Sequence, residues 1–241
     1  MFTDLHCHIV YGVDDGAQTF EDAQAMLRKA AEQNVTSVIC TSHALPGREI
    51  FPLETYRRHL EQEQEWCRQE GLDLQLFEGC EILWDESAPR LLKDGAIPSL
   101  CGGHYALVEF FPSSPWENIR HAALALSIAG YYPVIAHVER YACLRKGHRI
   151  QELSYEYGAI LQMNAHTVLT SAKVGLFGDR WPAKVLTDGL IDIVASDAHD
   201  VEERPCRLGE VYRFIAERYS KGYAEQVCIN IPGRIREGKP V

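Results

Sequence analysis

The sequence predicts an α/β fold in which parallel strands alternate with helices. Short apolar runs, many of them β-branched, alternate with longer amphipathic stretches, which is typical of repeated βα units. The chain has 241 residues, 46% of them apolar and 24% charged, and contains no low-complexity linker. These values favour one globular domain over residues 1–241 and exclude a disordered or fibrous chain.

The pattern predicts seven strands and the helices that connect them. The strands are predicted at residues 2–6, 37–41, 74–81, 105–110, 133–138, 159–164 and 191–196. A first helix is predicted after Thr19, which has the spacing of a capping box with Asp22. Further helices are predicted at residues 55–69, 116–129, 150–157, 183–188 and 207–221. Because parallel strands require long crossovers, this order predicts a parallel sheet.

Ionisable side chains stand at the C-terminal ends of nearly all these strands. They are, in chain order, His6, His8, His43, Glu81, Glu109, His137, Asp197 and His199. In a closed βα barrel the strand ends converge on one face. Side-chain alternation also turns both members of a His-x-His or Asp-x-His pair to the same side. Since crowded carboxylates and imidazoles need cations to balance them, the sequence predicts a site for several divalent metal ions.

The overall charge excludes several classes of partner. Lys and Arg total 24 against 34 Asp and Glu, a formal net charge of -10, so we expect no general basic surface for nucleic acid or anionic lipid. No window approaches the length of a membrane span, and the N-terminus lacks a secretory signal. The eight cysteines show neither CxxC nor paired zinc spacing. We therefore expect a cytoplasmic protein with reduced, buried thiols and no membrane insertion.

The strand ends carry motifs that resemble a known family. The motifs are DLHCHI at residues 4–9, GVDDG at 12–16, SH at 42–43, GCEI at 79–82, EF at 109–110, AHVER at 136–140 and SDAH at 196–199. In this order they resemble the PHP (polymerase and histidinol phosphatase) family. The resemblance is strongest to its branch of bacterial manganese-dependent protein-tyrosine phosphatases associated with capsule and exopolysaccharide genes. It covers nearly the whole chain and implies a distorted, TIM-like (β/α)7 barrel, the PHP fold.

The resemblance implies three divalent metal ions held by nine side chains. The first ion is expected at His6, His8, Glu81 and Asp197, the second at Glu81 (as a bridge), Glu109 and His137, and the third at Asp15, His43 and His199. Asp15 is assigned in preference to Asp14 because it occupies the second position of the family's Asp-Asp-Gly. Arg140 and Arg204 match arginines that the family uses on the phosphoryl group, for which a guanidinium fork is well suited. Manganese is expected from the resemblance, and imidazole and carboxylate ligands suit iron and zinc as well.

These residues predict a metal-dependent phosphomonoesterase. A hydroxide that bridges the metal ions would attack phosphorus, because coordination lowers the pKa of water toward ~7. The resemblance implies a protein-tyrosine phosphatase acting on a bacterial tyrosine kinase that governs polysaccharide export. Three alternatives stay open: a small-molecule phosphatase for a compound such as histidinol phosphate, a nucleotide phosphoesterase, and a non-catalytic metal-binding regulator of a tyrosine kinase.

Other residues have both a functional and a structural interpretation. His166, just after the sixth strand, either lines the cavity or packs, and packing is favoured. Phe111 and Trp116, which follow the fourth strand, either contact a flat substrate ring or pack, and packing is again favoured. Two Cys-x5-Arg matches begin at Cys143 and Cys228, but chance alone predicts roughly half a match, so two are unremarkable for so loose a pattern. Cys228 also lacks a following glycine-rich phosphate loop, so a nucleophilic cysteine is disfavoured.

Overall fold

All seven predicted strands are present and form one parallel sheet. The structure, a computed structural model, describes residues 1–171 and 179–241. The strands are β1 (Phe2–Cys7), β2 (Val35–Ala44), β3 (Gln75–Leu83), β4 (Tyr105–Glu109), β5 (Tyr132–Ile135), β6 (Ile160–Asn164) and β7 (Ile193–Ala195). Each strand pairs in parallel with the next, in the order β1 to β7. The predicted α/β barrel topology is confirmed.

The barrel closes between β1 and the segment that follows β7. The backbone N–H of Asp197 donates to the carbonyl oxygen of His6 at 2.8 Å. The N–H of Ser196 donates to Oδ1 of Asp4 at 3.0 Å. Asp4 is fully buried, and burial raises the pKa of its carboxyl group despite this hydrogen bond. The segments that close the barrel are therefore the same segments that carry predicted metal ligands.

Several predicted ligands lie where strands end. β2 continues one residue beyond His43, which pairs directly opposite Glu81 of β3. β5 and β7 are shorter than predicted and end two residues before His137 and Asp197. At these two residues the backbone adopts left-handed φ angles of 31° and 53°. Such angles are rare for residues with a Cβ atom, and they concentrate at functional sites.

The helices connect the strands in the predicted order. They are α1 (Phe20–Glu32), α2 (Leu53–Gln69), α3 (Ala88–Lys93), α4 (Trp116–Ile128), α5 (Arg149–Tyr155), α6 (Ala165–Ser171), α7 (Trp181–Thr187), α8 (Leu208–Arg218), α9 (Lys221–Glu225) and α10 (Ile231–Arg236). The capping box at the start of α1 is confirmed, since Thr19 and Asp22 exchange side-chain to backbone hydrogen bonds. The short helices α3, α6, α9 and α10 were not predicted. Within the described residues, no helix has both the length and the apolar character needed to cross a bilayer.

The C-terminal helix α10 packs into the barrel interior. Ile231 and Ile235 of α10 belong to the same apolar cluster as Leu5 of β1 and Leu107 of β4. Nearby, the hydroxyl of Tyr105, the first residue of β4, donates to the carbonyl oxygen of Lys239 at 2.7 Å. The end of the chain therefore closes the N-terminal end of the barrel and leaves the C-terminal strand ends for the site.

Candidate metal centre

Two histidines of the β1 segment direct the same ring nitrogen into one buried cluster. The Nε2 atoms of His6 and His8 are 3.1 Å apart. Nδ1 of His6 lies 3.3 Å from Oε1 of Gln162, and Nδ1 of His8 lies 2.8 Å from Oδ2 of Asp14. Because an ionised carboxylate only accepts hydrogen bonds, Nδ1 of His8 donates to Asp14. Once the ring loses its second proton, Nε2 of His8 carries the lone pair that a metal ion requires.

Glu81 and Asp197 complete this first cluster. Oε2 of Glu81 lies 3.2 Å from Nε2 of His6 and 3.3 Å from Nε2 of His8. Oδ1 of Asp197 lies 3.3 Å and 3.5 Å from the same two atoms. All four residues are buried, and their ligand atoms lie within 4.8 Å of one another. Burial would lower the pKa of His8, but hydrogen bonds with Asp14 and Glu81 outweigh it and raise that pKa to about 10.

Glu81 also faces a second group of ligand-type side chains. Its Oε1 lies 2.8 Å from Nε2 of His137, which is 3.6 Å from Oε2 of Glu109. Nδ1 of His43 lies 3.1 Å from Oε1 of Glu109 and 3.2 Å from Oε2 of Glu81. Since the two oxygens of Glu81 face different histidines, this carboxylate lies between two groups. Burial would raise the pKa of Glu81, but the charges of His6 and His137 hold it well below its ordinary range.

Asp15 lies between two histidines in a third group. Its Oδ1 is 3.4 Å from Nε2 of His43 and 3.4 Å from Nε2 of His199. Nδ1 of His199 donates to the carbonyl oxygen of Asp197 at 2.9 Å, which leaves Nε2 of His199 free to bind a metal ion. Hydrogen bonds with His199 and His43 hold the pKa of Asp15 well below its ordinary value. All nine side chains predicted as ligands thus lie in one connected cluster at the C-terminal strand ends.

The two neighbouring aspartates of the loop after β1 have different surroundings. Both oxygens of Asp14 accept hydrogen bonds, from Nδ1 of His8, from the N–H of His43 and from the N–H of Gly16. The carboxylate of Asp15 instead faces the third group. The loop folds back tightly on β1, because a Cβ atom at Gly16 would collide with the carbonyl of His8. Asp14 therefore orients a predicted ligand, whereas Asp15 stands among the predicted ligands themselves.

A polar pair on β6 supports residues of both the first cluster and the second group, and its role was missed from the sequence. Oε1 of Gln162 accepts from the N–H of His137 at 2.7 Å, and Nε2 of Gln162 donates to Oδ1 of Asn164 at 2.8 Å. Nδ2 of Asn164 donates to Oδ2 of Asp197 at 2.6 Å. The available signal was the presence of two polar residues at alternating positions in a strand that is otherwise apolar.

Tyr141 was also missed, and it links two predicted ligands of the second group. Its buried hydroxyl accepts from the N–H of Phe110, the residue after Glu109, at 3.1 Å. The same oxygen lies 3.1 Å from Nδ1 of His137. For Nε2 of His137 to bind a metal ion, Nδ1 must carry the proton and donate it to this hydroxyl. One phenol therefore fixes the ends of β4 and β5 relative to each other.

The two predicted phosphoryl-binding arginines lie at the rim of the cluster. Nη2 of Arg140 donates to Oδ2 of Asp197 at 2.6 Å, and Nη2 of Arg204 donates to Oδ2 of Asp15 at 3.4 Å. Both arginines line one cavity of about 600 Å³. The loop before Arg204 is shaped by Oδ1 of Asp200, which accepts the N–H of Arg204 at 3.1 Å. Each guanidinium is therefore partly exposed and contacts a carboxylate of the cluster.

The structure also places the residues that had two interpretations. His166 is exposed and lines the cavity that contains the arginines, so the packing interpretation is wrong for it. Trp116 is buried, so it packs and does not contact a substrate. Phe111 is half exposed and lines a second cavity. Burial raises the pKa of the Cys143 thiol, and it raises that of Cys228 to about 12, which opposes a thiolate nucleophile at either position.

Comparison with known proteins identifies the family. The model of the family described as capsular polysaccharide synthesis, CpsB/CapC, matches residues 2–237. The chain belongs to the CpsB/CapC family. Among its relatives, this CpsB/CapC chain is 31% identical over 239 residues to tyrosine-protein phosphatase CpsB of Streptococcus pneumoniae, covering 96% of this chain and 97% of the relative. It is 30% identical over 208 residues to tyrosine-protein phosphatase YwqE of Bacillus subtilis strain 168, covering 83% and 78% of the two chains.

Solved structures agree with this family. The fold is similar to a crystal structure described as YwqE from Bacillus subtilis and CpsB from Streptococcus pneumoniae, unique metal-dependent tyrosine phosphatases. The TM-score is 0.87 at 26% identity, covering 99% of this CpsB/CapC chain and 96% of the other. A dihydropyrimidinase from Brevibacillus agri shares the fold alone, with a TM-score of 0.61 at 12% identity, covering 99% and 71%. The resemblance found in the sequence is confirmed, and the predicted enzyme class agrees with the names of these relatives.

Proposed function

We propose that this chain is a metal-dependent protein-tyrosine phosphatase. The observation that carries the proposal is the connected cluster of nine ligand-type side chains with two arginines at its rim. The relatives named as tyrosine-protein phosphatases support it, since they match nearly the full length of the chain. The seven strands of one sheet and the family match over residues 2–237 support a single catalytic domain over residues 1–241.

The donor set fits divalent cations. Carboxylates hold protons on the neighbouring imidazoles, because hydrogen bonds with Asp15 and Glu109 outweigh burial and raise the pKa of His43 to about 11. A cation that displaces those protons satisfies the same carboxylates. We propose three ions, at the three ligand sets that the family resemblance implies, with Glu81 shared by two of them. Manganese is the metal we propose, with iron and zinc compatible with the same ligands.

The residues of this chain then bind and orient a phosphate ester. Bound divalent ions lower the pKa of coordinated water toward ~7 and withdraw charge from phosphoryl oxygens. Three divalent ions against four carboxylates leave a net positive charge, which attracts a phosphate dianion despite the acidic protein surface. Arg140 and Arg204 would release their carboxylates and bind the phosphoryl oxygens as charge shifts in the transition state. A phenolate leaving group, with a conjugate-acid pKa of ~10, needs no dedicated general acid.

We propose that the substrate is a phosphotyrosyl protein, and specifically a bacterial tyrosine kinase that governs polysaccharide export. The family description, capsular polysaccharide synthesis, supports this partner. We also propose a cytoplasmic location. All eight cysteines lie in described residues and none forms a disulfide there, which is typical of a reducing compartment.

The test is phosphate release from a phosphotyrosyl peptide by protein stripped with chelator and then reloaded with manganese. We expect activity to disappear and return, and Asp197→Asn to lower it about 100-fold or more while Asp192→Asn does not. Asp192 is a matched control because it is a partly buried carboxylate before β7 whose Oδ2 accepts the N–H of Leu161. Turnover of histidinol phosphate alone would contradict the phosphotyrosine substrate. Full activity of Asp197→Asn would contradict the site.

A further inference from the structure

A small cavity opens beside the second group of the metal cluster. It has a volume of about 270 Å³, and its lining includes His43, Glu109 and His137, which are predicted ligands. The rest of the lining is different in character, because it includes the aromatic ring of Phe111 and the side chain of Leu45. An apolar wall therefore stands next to the place where a phosphoryl group would meet the metal ions.

Phe111 is unusual for the exposure of its ring. Its side chain is 50% exposed, whereas Phe110 beside it is 4% exposed and packs against Tyr141. The guanidinium carbon of Arg48, in the loop after β2, lies 5.1 Å from the centroid of the Phe111 ring. Arg48 is itself exposed and lines the same cavity. Two loops thus present a paired aromatic ring and guanidinium at the edge of the cluster.

Arg140 is shared by this cavity and the larger one. It lines both cavities, and apart from Pro205 the larger one is lined by polar or charged residues such as Asn164, Glu202 and Arg204. A phosphoryl group bound by Arg140 would have charged groups on one side and the ring of Phe111 on the other. A flat apolar leaving group is expected to enter the side where its burial is favourable.

We propose that Phe111 and Arg48 form an aryl subsite that binds the ring of the leaving group and selects aryl over alkyl phosphates. The inference rests on the proposed phosphatase function and assigns its leaving-group specificity to two side chains. The ring of Phe111 provides apolar and edge-to-face contact, and the planar guanidinium of Arg48 stacks on aromatic faces. Aromatic pairs of this kind change affinity by up to about 10-fold beyond the contribution of buried area.

The experiment compares two non-hydrolysable probes, phenylphosphonate and methylphosphonate, by isothermal titration calorimetry on the manganese-loaded protein. We expect the wild type to bind phenylphosphonate more tightly, and Phe111→Ala to lower that preference about 10-fold. Inorganic phosphate should bind both proteins equally. Arg48→Met should reduce the preference by a smaller factor, because the Phe111 ring remains.

Tyr132→Ala is the matched control. Tyr132 is also 50% exposed and stacks on a neighbouring ring, Tyr105, but at the opposite end of the barrel. We expect it to keep the wild-type preference. An unchanged preference in Phe111→Ala, no preference in the wild type, or an equal loss in Tyr132→Ala would overturn the proposal. Because binding is measured without turnover, an enzyme inactive on phosphotyrosyl peptide would refute the proposed function and leave this result interpretable.

Discussion

Replacing Glu63 with glutamine should make the protein more stable, and increasingly so as pH rises. Glu63 of α2 is fully buried, its Oε1 accepts the N–H of Tyr11 at 3.0 Å, and its Oε2 has no hydrogen-bond partner among the described residues. Burial raises the pKa of this carboxyl group from 4.5 to about 8. Glutamine keeps the acceptor for Tyr11 and removes the ionisation.

The sign and size of the stability difference between Glu63→Gln and wild type follow from proton linkage. Between pH 4.5 and about 8, the unfolded chain loses the Glu63 proton while the folded chain keeps it. Unfolding is therefore favoured as pH rises, by about 1.4 kcal/mol for each pH unit. From pH 5.5 to pH 7.5 the free energy of unfolding of Glu63→Gln should rise by about 3 kcal/mol relative to wild type.

Urea unfolding of the metal-free proteins at several pH values measures this difference, because all other titrating groups are shared and cancel. Glu61→Gln is the control, since Glu61 is an exposed carboxylate on the same helix. The difference in the free energy of unfolding between Glu61→Gln and wild type should stay nearly constant with pH. A Glu63→Gln difference that is equally flat would refute the argument that Glu63 is buried in its neutral form.

Three further predictions concern the site. Arg140→Lys should lower kcat/KM for a phosphotyrosyl peptide by about 10-fold to 100-fold, because a point charge replaces the guanidinium fork. The metal content should be unchanged. Loss of bound metal would instead show that Arg140 has a structural role. Tyr141→Phe should weaken metal binding about 10-fold, measured as metal content after dialysis, whereas Tyr105→Phe at the barrel's other end should not. Equal metal content in both would contradict the role given to the phenol. Asp14→Asn should likewise weaken metal binding about 10-fold to 100-fold, because His8 loses a charged acceptor. A metal affinity equal to that of wild type would show that Asp14 does not orient His8.

The sequence was most informative where chemistry and strand periodicity coincide. His6 and His8 alternate across a strand end, so their convergence was predictable without a structure. The β6 pair, Gln162 and Asn164, escaped notice because these residues act on ligands through hydrogen bonds across the barrel, which no local pattern reveals. His166 was misjudged because a helix begins directly after β6 and turns its side chain into a cavity.

The fold was predictable to a similar degree. The prediction failed for the short helices, again because tertiary contacts decide them. The long helices have an apolar stripe or a cap that is visible in the sequence, as the Thr19 capping box shows. Helix α10 is only six residues long and contains Gly233, and both its shortness and this glycine oppose helix formation in isolation. It is stabilised by burying Ile231 and Ile235 in the barrel interior, a tertiary effect that local propensity does not report.

The position of α10 has a consequence for the order of events during synthesis. The interior cluster includes Ile235, so it cannot be completed until that residue has left the ribosome. Strands β1 to β7 and every predicted ligand emerge from the ribosome earlier. Until α10 follows, the apolar side chains of the barrel interior remain exposed. Chaperone binding and misassembly compete with folding in this interval. A nascent chain stalled before Ile231 is exposed should therefore be sensitive to protease, and exposure of the chain through Arg236 should bring protection.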